Sequence, residues 1–392
     1  MQSSEAQRLT AYLAARLPTY LAELEQLCMI ECPTASKPGV DEAGAWVRRW
    51  AHARGWEVHD WPDAQAGDGI LVTLPGGTPG GLRVLLVAHL DTVYPVGTAA
   101  ARPFRQAGDK LIGPATADNK SGLLSSLYAM AALQDLDMLG PFATVSVACG
   151  GDEEIDMRAS MDMLKAIAPE YDLALVMEAG RENGDIVGSR KGSGNYVLEV
   201  HGKSAHAGVE PHKGASAVVA LAQQITALHL LNGMRPGVTL NVGVISGGTV
   251  FNAVPDYAQA TIDVRCINAE DMQPAADAIE QIAGTTYVAG TRAVLTGGWH
   301  APPMARTPAI ARLAALASTC AAELGFHVNA AATGGVSYAN MLAAMGLPVL
   351  DGLGPIGGLD HSPDEYILVS SIVPRTALLA LLMLREAQET KE

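Results

Sequence analysis

Three apolar runs set the frame of this chain: LRVLLVAHL (82–90), ATVSVACG (143–150) and LALVME (173–178) are almost unbroken by polar residues. A strand with one wet face alternates, so runs of this kind point to strands buried on both faces, as in a mostly parallel α/β sheet flanked by helices. Helical spacing falls between them, over about 120–133 and near Met161, and each run ends in glycine or charged residues. In open α/β sheets the ligand crevice lies beyond the carboxyl ends of the strands, so the chemistry is sought there. The pattern resumes late in the chain with an expected helix over 308–324, a strand at LPVLD (347–351) and a closing helix from about Ser370.

Between 189 and 299 the texture changes. NYVLEVHG (195–202) alternates, 216–231 has helical spacing, LNVGVISGG (240–248) and AQATIDVRC (258–266) read as strands, and a second helix is expected over 269–282. That order approximates β-α-β-β-α-β, a compact ferredoxin-like α+β unit. With 392 residues the chain exceeds the ~250–300 at which one core stops growing. The expected organisation is therefore a main domain in two parts, 1–188 and 300–392, interrupted by an inserted unit, 189–299.

A formal net charge of -15 argues against a nucleic-acid partner, which needs clustered Lys and Arg. The cysteines Cys28, Cys32, Cys149, Cys266 and Cys320 are odd in number and scattered, as expected of reduced, buried thiols. The first residues carry charges throughout at amphipathic helical spacing and lack the apolar centre of a secretory signal. No run approaches the roughly 18–20 apolar residues of a membrane span. The expectation is a soluble, cytoplasmic protein without a membrane partner.

Candidate chemistry sits at the strand ends. VLLVAHLDTVYP (84–95) places His89 and Asp91 two residues apart, pointing the same way, so that the carboxylate can orient the imidazole. GPATADNKSG (113–122) puts Asp118 in a Gly/Pro-rich loop, where it could bridge two metals or simply cap the next helix. CGGDEEI (149–155) crowds Asp152, Glu153 and Glu154, a repulsive arrangement unless a cation or proton compensates it. Either this is a solvated acidic turn, or Glu154 ligates a metal while Glu153 takes a proton from activated water. Glu178 ends LALVME, and His361 lies in GGLDHSPDEYI (357–367). Alone, a strand-end carboxylate or a loop histidine needs no special role. Together, His89, Asp118, Glu154, Glu178 and His361 form the imidazole and carboxylate mixture that suits a two-zinc site.

With these motifs the chain resembles the zinc metallopeptidases that include glutamate carboxypeptidase, aminoacylase and succinyl-diaminopimelate desuccinylase, most closely the glutamate carboxypeptidase branch. The likeness runs from about Leu21 to Arg385, through HLDTVYP, ADNKSG, DEEI, RKGSGNYVLEVHGKSAHAGVEP, LNVGVISGGT, LDGLGPIGG and DHSPDEYI. It implies two Zn²⁺ per subunit, with Co²⁺ or Mn²⁺ as substitutes. His89 and Glu178 would hold the first ion, Glu154 and His361 the second, and Asp118 both. Asp91 would orient His89, and Glu153 would be the general base. The inserted unit would serve as lid and dimerisation domain of a homodimer, lending His206 to the other subunit's site. Asn252 and Arg265 would hold the substrate carboxylate, with Gly334 and Gly335 bordering the pocket. The implied reaction releases a C-terminal amino acid, glutamate-like or other, from a small peptide or N-acyl amino acid, the alternative being an N-acyl amino acid deacylase or amidase.

Some positions depart from the family pattern. Ala115 and Thr116 precede ADNKSG, Asp156 and Met157 follow DEEI, and Tyr338 stands where relatives usually carry Asp. Trp299 and His300 occupy the place of an arginine that glutamate-selective members set near the substrate side chain, which weakens the case for strict glutamate specificity. Readings from other classes fail on context. Gly352, Gly354 and Gly357 spell GxGxxG, but Pro355 and Pro363 interrupt the helix that a dinucleotide fingerprint would open. A non-catalytic metal-binding protein would be expected to lack the base or a ligand, and all are present.

Overall fold

The apolar runs form the middle of a six-stranded sheet whose spatial order is Glu57–Trp61, Gly69–Pro75, Phe142–Gly150, Leu82–His89, Leu173–Val176 and Val349–Leu350. The last four run parallel, and the first two add antiparallel at one edge. This is the computed structural model of the chain; it describes residues 3–155 and 157–389. Two units divide the described residues, one from Met1–Gly188, Arg306–Ala332 and Ser337–Glu392, the other from Ser189–Ala305 and Thr333–Val336.

In the first unit the parallel strands are buried along nearly their whole length. That is why their sequences do not alternate. Helix Ser121–Asp135 is buried from Ser121 to Leu133, and helix Val369–Glu389 is buried over most of its length, as expected of helices apolar on every side. The strands Glu57–Trp61 and Gly69–Pro75 went unrecognised in the sequence, and Glu57–Trp61 has no buried residue to mark it. The expected mostly parallel sheet with helical layers is what the structure has. A smaller sheet, Gly357–Gly358, Tyr366–Leu368, Lys110–Ile112 and Arg105–Ala107 in spatial order, had no sequence signature.

The second unit is the expected α+β fold. Strand Gly192–His201, helix Ala217–His229, strands Thr239–Gly247 and Tyr257–Cys266, helix Met272–Gly284 and strand Arg292–Ala301 follow in β-α-β-β-α-β order. All strand pairs are antiparallel, and Leu198, Val200, Leu221, Ile262, Val264 and Ile279 close a core between sheet and helices. Thr239–Gly247 is an edge strand. Among the described residues no helix is long and apolar enough to cross a membrane, and all five cysteines are free and buried.

One close approach sets the geometry that follows. A Cβ on Gly122 would lie 1.9 Å from the carbonyl oxygen of Met177, so the first turn of helix Ser121–Asp135 abuts the chain just past strand Leu173–Val176 only because residue 122 has no side chain. Gly122→Ala is expected to destabilise the protein by about 1–3 kcal/mol through overpacking; an unchanged midpoint of urea unfolding would show that the helix simply shifts.

Candidate metal centre

Strand register gathers the first set of side chains. His89 lies opposite Gly150, so the turn bearing Glu153 and Glu154 begins at its level. Val87 lies opposite Val176, and two residues further on His89 and Glu178 leave neighbouring strands side by side. The second set comes from the small sheet. Tyr366 pairs with Ile112 on one side and Gly358 on the other, so the loops carrying Asp118 and His361 rise from adjacent strands.

These sets meet at Asp118. Its Oδ1 lies 2.8 Å from His89 Nε2 and its Oδ2 3.1 Å from His361 Nε2, so one carboxylate faces two imidazoles through different oxygens. His361 Nε2 is also 3.2 Å from Glu154 Oε2. His89 is fully buried, whereas His361 is exposed and holds a left-handed backbone, φ 62°. Such a conformation is uncommon outside glycine and, where it persists, is maintained by its surroundings.

Buried acceptors hold the turns in place. His89 Nδ1 lies 3.1 Å from the Asp91 carbonyl oxygen and 3.3 Å from Asp91 Oδ1, which leaves Nε2 directed at Asp118. The Asp91 carboxylate further accepts from the backbone N–H groups of Glu153 and Glu154, both at 3.2 Å, and from Thr34 Oγ1 at 2.6 Å. It therefore ties the strand carrying His89 to the acidic turn. Glu365, which sequence reasoning passed over, plays the same part for Asp118: its carboxylate accepts from the N–H groups of Ala117 and Asp118 at 2.8 and 2.9 Å and from Tyr94 Oη at 2.5 Å. Its place four residues after His361 was the available signal.

Asp152 is drawn out of the crowded triplet. It accepts from the N–H groups of Ala159 and Ser160 at 2.6 and 3.0 Å and so caps helix Arg158–Ile167. Ser160 Oγ also donates to it, and Tyr338 Oη donates to Ser160 Oγ at 2.8 Å. Tyr338 is fully buried, and its Oη fills the space that a Cβ on Gly150 would need, 2.0 Å away. The aromatic departure at 338 is thus an internal strut beneath the acidic turn. Ala115 and Met157 both hold left-handed backbone, and Asp156 lies outside the described residues.

Electrostatics follow from this crowding. Burial opposes charge on His89, but hydrogen bonds to Asp118 and Asp91 outweigh it and raise its pKa well above the usual range. Hydrogen bonds to Asp118 and Glu154 lift His361 to about 11. Burial would raise the Asp118 carboxyl, yet the bonds from His361 and His89 hold it below the ordinary carboxylate range. Glu153 is pushed well up, first by burial and then by the charges of Glu178, Asp118 and Glu154, against the opposing pull of His89. A group so placed holds a proton readily, as a general base must once it has accepted one.

The donor set fits divalent metal. One ligand atom each from His89, Asp118 and Glu154 lies within 4.8 Å of the others. Glu154 Oε1 is buried and accepts no hydrogen bond, a cost that a cation would relieve. Imidazole with carboxylate is the mixture that suits zinc, cobalt or manganese.

The remaining candidates belong to the second unit and fall into two groups. His206 and Asn252 share a loop tip, where the Ala207 N–H donates to the Asn252 carbonyl at 2.9 Å. Arg265 lies near the far end of strand Tyr257–Cys266, gripped by Asp263 through Nε at 2.9 Å and Nη2 at 2.8 Å, and its Nη1 donates to Gly334 O at 3.3 Å. The carbonyl of Gly335 accepts from Arg190 at 3.1 Å. Residues 257 and 265 are eight apart on one strand, about 26 Å at ~3.3 Å per residue. The structure thus joins His206 with Asn252 and Arg265 with Gly334; Asn252 lies before the start of strand Tyr257–Cys266 and Arg265 near its far end. Trp299 packs against the core and donates to Met272 O at 2.8 Å. Burial and the charge of Arg265 lower the pKa of His300.

Comparison with known proteins follows the same division. Residues 188–291 match the family model described as a peptidase dimerisation domain. Carboxypeptidase G2 of Pseudomonas sp. (strain RS-16) is 29% identical over 377 residues, covering 94% of this chain and 89% of that one. Acetylornithine deacetylase of Proteus mirabilis is 25% identical, covering 94% and 97%. Among solved structures, aminopeptidase PepT from Bacillus cereus superposes with a TM-score of 0.79 at 22% identity, over 94% of this chain and 98% of that one, and so shares the fold.

Removing the Glu365 carboxylate frees the Asp118 turn, so Glu365→Ala is expected to weaken cobalt binding about 10–100-fold, the usual effect of losing an outer-shell partner. Titration with a competing chelator measures this; wild-type affinity in a folded variant would show that Glu365 does not position Asp118.

Proposed function

From the premise that this chain is a homologue of the M20 metallopeptidases, we propose that it is a two-zinc amidohydrolase that releases a C-terminal amino acid from a small peptide or N-acyl amino acid. The observation that carries this reading is the sharing of Asp118 between His89 and His361 through different carboxylate oxygens, with Glu153 and the partnerless Glu154 Oε1 beside them. His89 and Glu178 would hold one ion, Glu154 and His361 the other, and Asp118 both, with cobalt or manganese as substitutes. Ions bound there would polarise the scissile carbonyl and make water acidic enough to attack near neutral pH.

The chain's own residues do the rest. Glu153 takes the proton of the attacking water and passes it to the departing amine, a double duty that its raised pKa suits. Asp91 keeps His89 and the Glu153–Glu154 backbone in register. Arg265, oriented by Asp263, offers a permanently charged group to the substrate carboxylate, beside Gly334 and Gly335. His206 accepts from the Gly208 N–H at Nδ1, 3.1 Å, so its neutral form carries hydrogen on Nε2 and can donate to the developing oxyanion.

Arg265 lies eight residues, about 26 Å, from the start of strand Tyr257–Cys266, and the His206–Asn252 tip lies before that start, so one small substrate would not reach both in the same chain. A homodimer in which each second unit lends its tip to the other subunit removes the conflict. Edge strand Thr239–Gly247 is suited to pairing: Val244 and Ile245 are 63% and 66% exposed, an apolar edge that soluble proteins otherwise protect. A second reading, deacylation of an N-acyl amino acid, is favoured by the likeness to acetylornithine deacetylase. His300 supports it too, since burial and Arg265 favour its neutral form, which gives a glutamate side chain no fixed cation.

Glu153→Gln is expected to keep two metal equivalents per chain while turnover falls by at least the ~10²-fold typical of a lost acid–base group. Elemental analysis beside the rate decides it, and wild-type turnover would remove Glu153 from this role. Mixing inactive Glu153→Gln and His206→Ala chains should regenerate activity, because a mixed dimer has one site with both groups intact. If verified subunit exchange restores nothing, the shared site is wrong.

A further inference from the structure

Phe251 is completely exposed in the single chain, one residue before Asn252 at the tip where two loops of the second unit are tied together. The ties are the Ala207 N–H to the Asn252 carbonyl and the Val254 N–H to the Ala205 carbonyl, both 2.9 Å, with His206 facing Ala253 across a β-bridge. Val209 and Val250 flank the same tip, 73% and 58% exposed. A histidine and an asparagine thus share their loops with three apolar side chains that the chain itself leaves in water. Grouped apolar exposure of this kind marks a surface that meets a partner or ligand, and polar groups set among apolar ones are the usual lining of a small-molecule pocket.

The tip comes four residues after edge strand Thr239–Gly247, whose Val244 and Ile245 are exposed as well, and both lie within the residues that match a peptidase dimerisation domain. That match points to a second copy of this chain as the occupant. His206 would meet the oxygen of the scissile carbonyl, and that carbonyl carbon bears the acyl substituent. Side chains flanking His206 therefore face the acyl group, whereas Arg265, a strand's length away, faces the carboxylate of the substrate held by its own subunit.

We propose that Phe251, with Val209, forms the apolar wall of the acyl-group pocket in the partner subunit's active site, so that the enzyme prefers substrates with an aromatic or medium-length alkyl acyl group over those with acetyl. This rests on the shared-site reading above, since a tip that lends His206 and Asn252 carries Phe251 with it. It sets the substrate class on the acyl side, which that reading leaves open.

Mixed dimers separate the two ideas. In a dimer of one Glu153→Gln chain and one His206→Ala chain, the working site takes its base from the His206→Ala chain and its tip from the Glu153→Gln chain. The probes are N-acetyl-, N-hexanoyl- and N-benzoyl-glutamate and the same three derivatives of alanine. Phe251→Ala on the Glu153→Gln chain is expected to lower the kcat/KM ratio of benzoyl or hexanoyl over acetyl at least about tenfold, the scale of a lost apolar pocket contact. On the His206→Ala chain it should leave that ratio where it was. Phe251 is fully exposed, so folding is not at risk, and sedimentation confirms pairing. Mixed dimers that stay inactive overturn the shared site and the proposal with it. Active mixed dimers whose ratio ignores Phe251→Ala on the tip-donating chain overturn the proposal alone, as does a ratio that responds only on the other chain.

Discussion

The arrangement turns on one carboxylate. Asp118 presents one oxygen to an imidazole from the central sheet and the other to an imidazole from the small sheet, and few groups besides a carboxylate offer two equivalent acceptors so close together. Everything around it serves to keep it there. Glu365 fixes its backbone from below, Tyr94 holds Glu365, and the missing side chain of Gly122 lets the following helix press against the end of the neighbouring strand. Rotation of Asp118 by even one rotamer would sever both imidazole contacts at once.

Crowding acidic groups carries a cost, and the fold meets it residue by residue. Asp152 is diverted to cap a helix, and Asp91 accepts three hydrogen bonds besides facing His89. The backbone leading to His361 has its own brace. Arg375 is fully buried and donates to the carbonyls of Gly354 and Gly184 at 3.0 Å and to that of Gly352. Burial lowers its pKa to about 10, so it stays charged at neutral pH while satisfying carbonyls in a glycine run that forms no helix.

Strand ends were legible in the sequence because burial on both faces removes the alternation that would otherwise hide them, and each ended in a residue of plain chemistry, as at His89 and Glu178. The inserted unit was legible for the opposite reason, since Asn195 onward alternates. Glu57–Trp61 was not legible, because an edge strand without buried residues has no apolar pattern. Glu365 and Tyr338 were missed in their positioning parts because those parts are purely tertiary: each depends on partners more than 150 residues away in the chain, Ala117 and Asp118 for one and Ser160 for the other. The strand's length between Tyr257 and Arg265 was implicit in the sequence, yet it became meaningful only once Asn252 was seen in a loop before one end of that strand and Arg265 near the other.

That separation also gives the two units different chemical characters. The centre of the first unit is built from Asp91, Asp118, Glu153, Glu154 and Glu178, and ionised carboxylates can only accept. Acceptors crowded in this way suit a cation, since like charges so close repel unless one compensates them. The second unit carries donors instead: the Arg265 guanidinium, the His206 Nε2–H and the Asn252 amide. Acceptors that suit a cation lie in the first unit and donors that suit an anion in the second, and those donors are themselves split between Arg265 near one end of strand Tyr257–Cys266 and a loop tip before its other end.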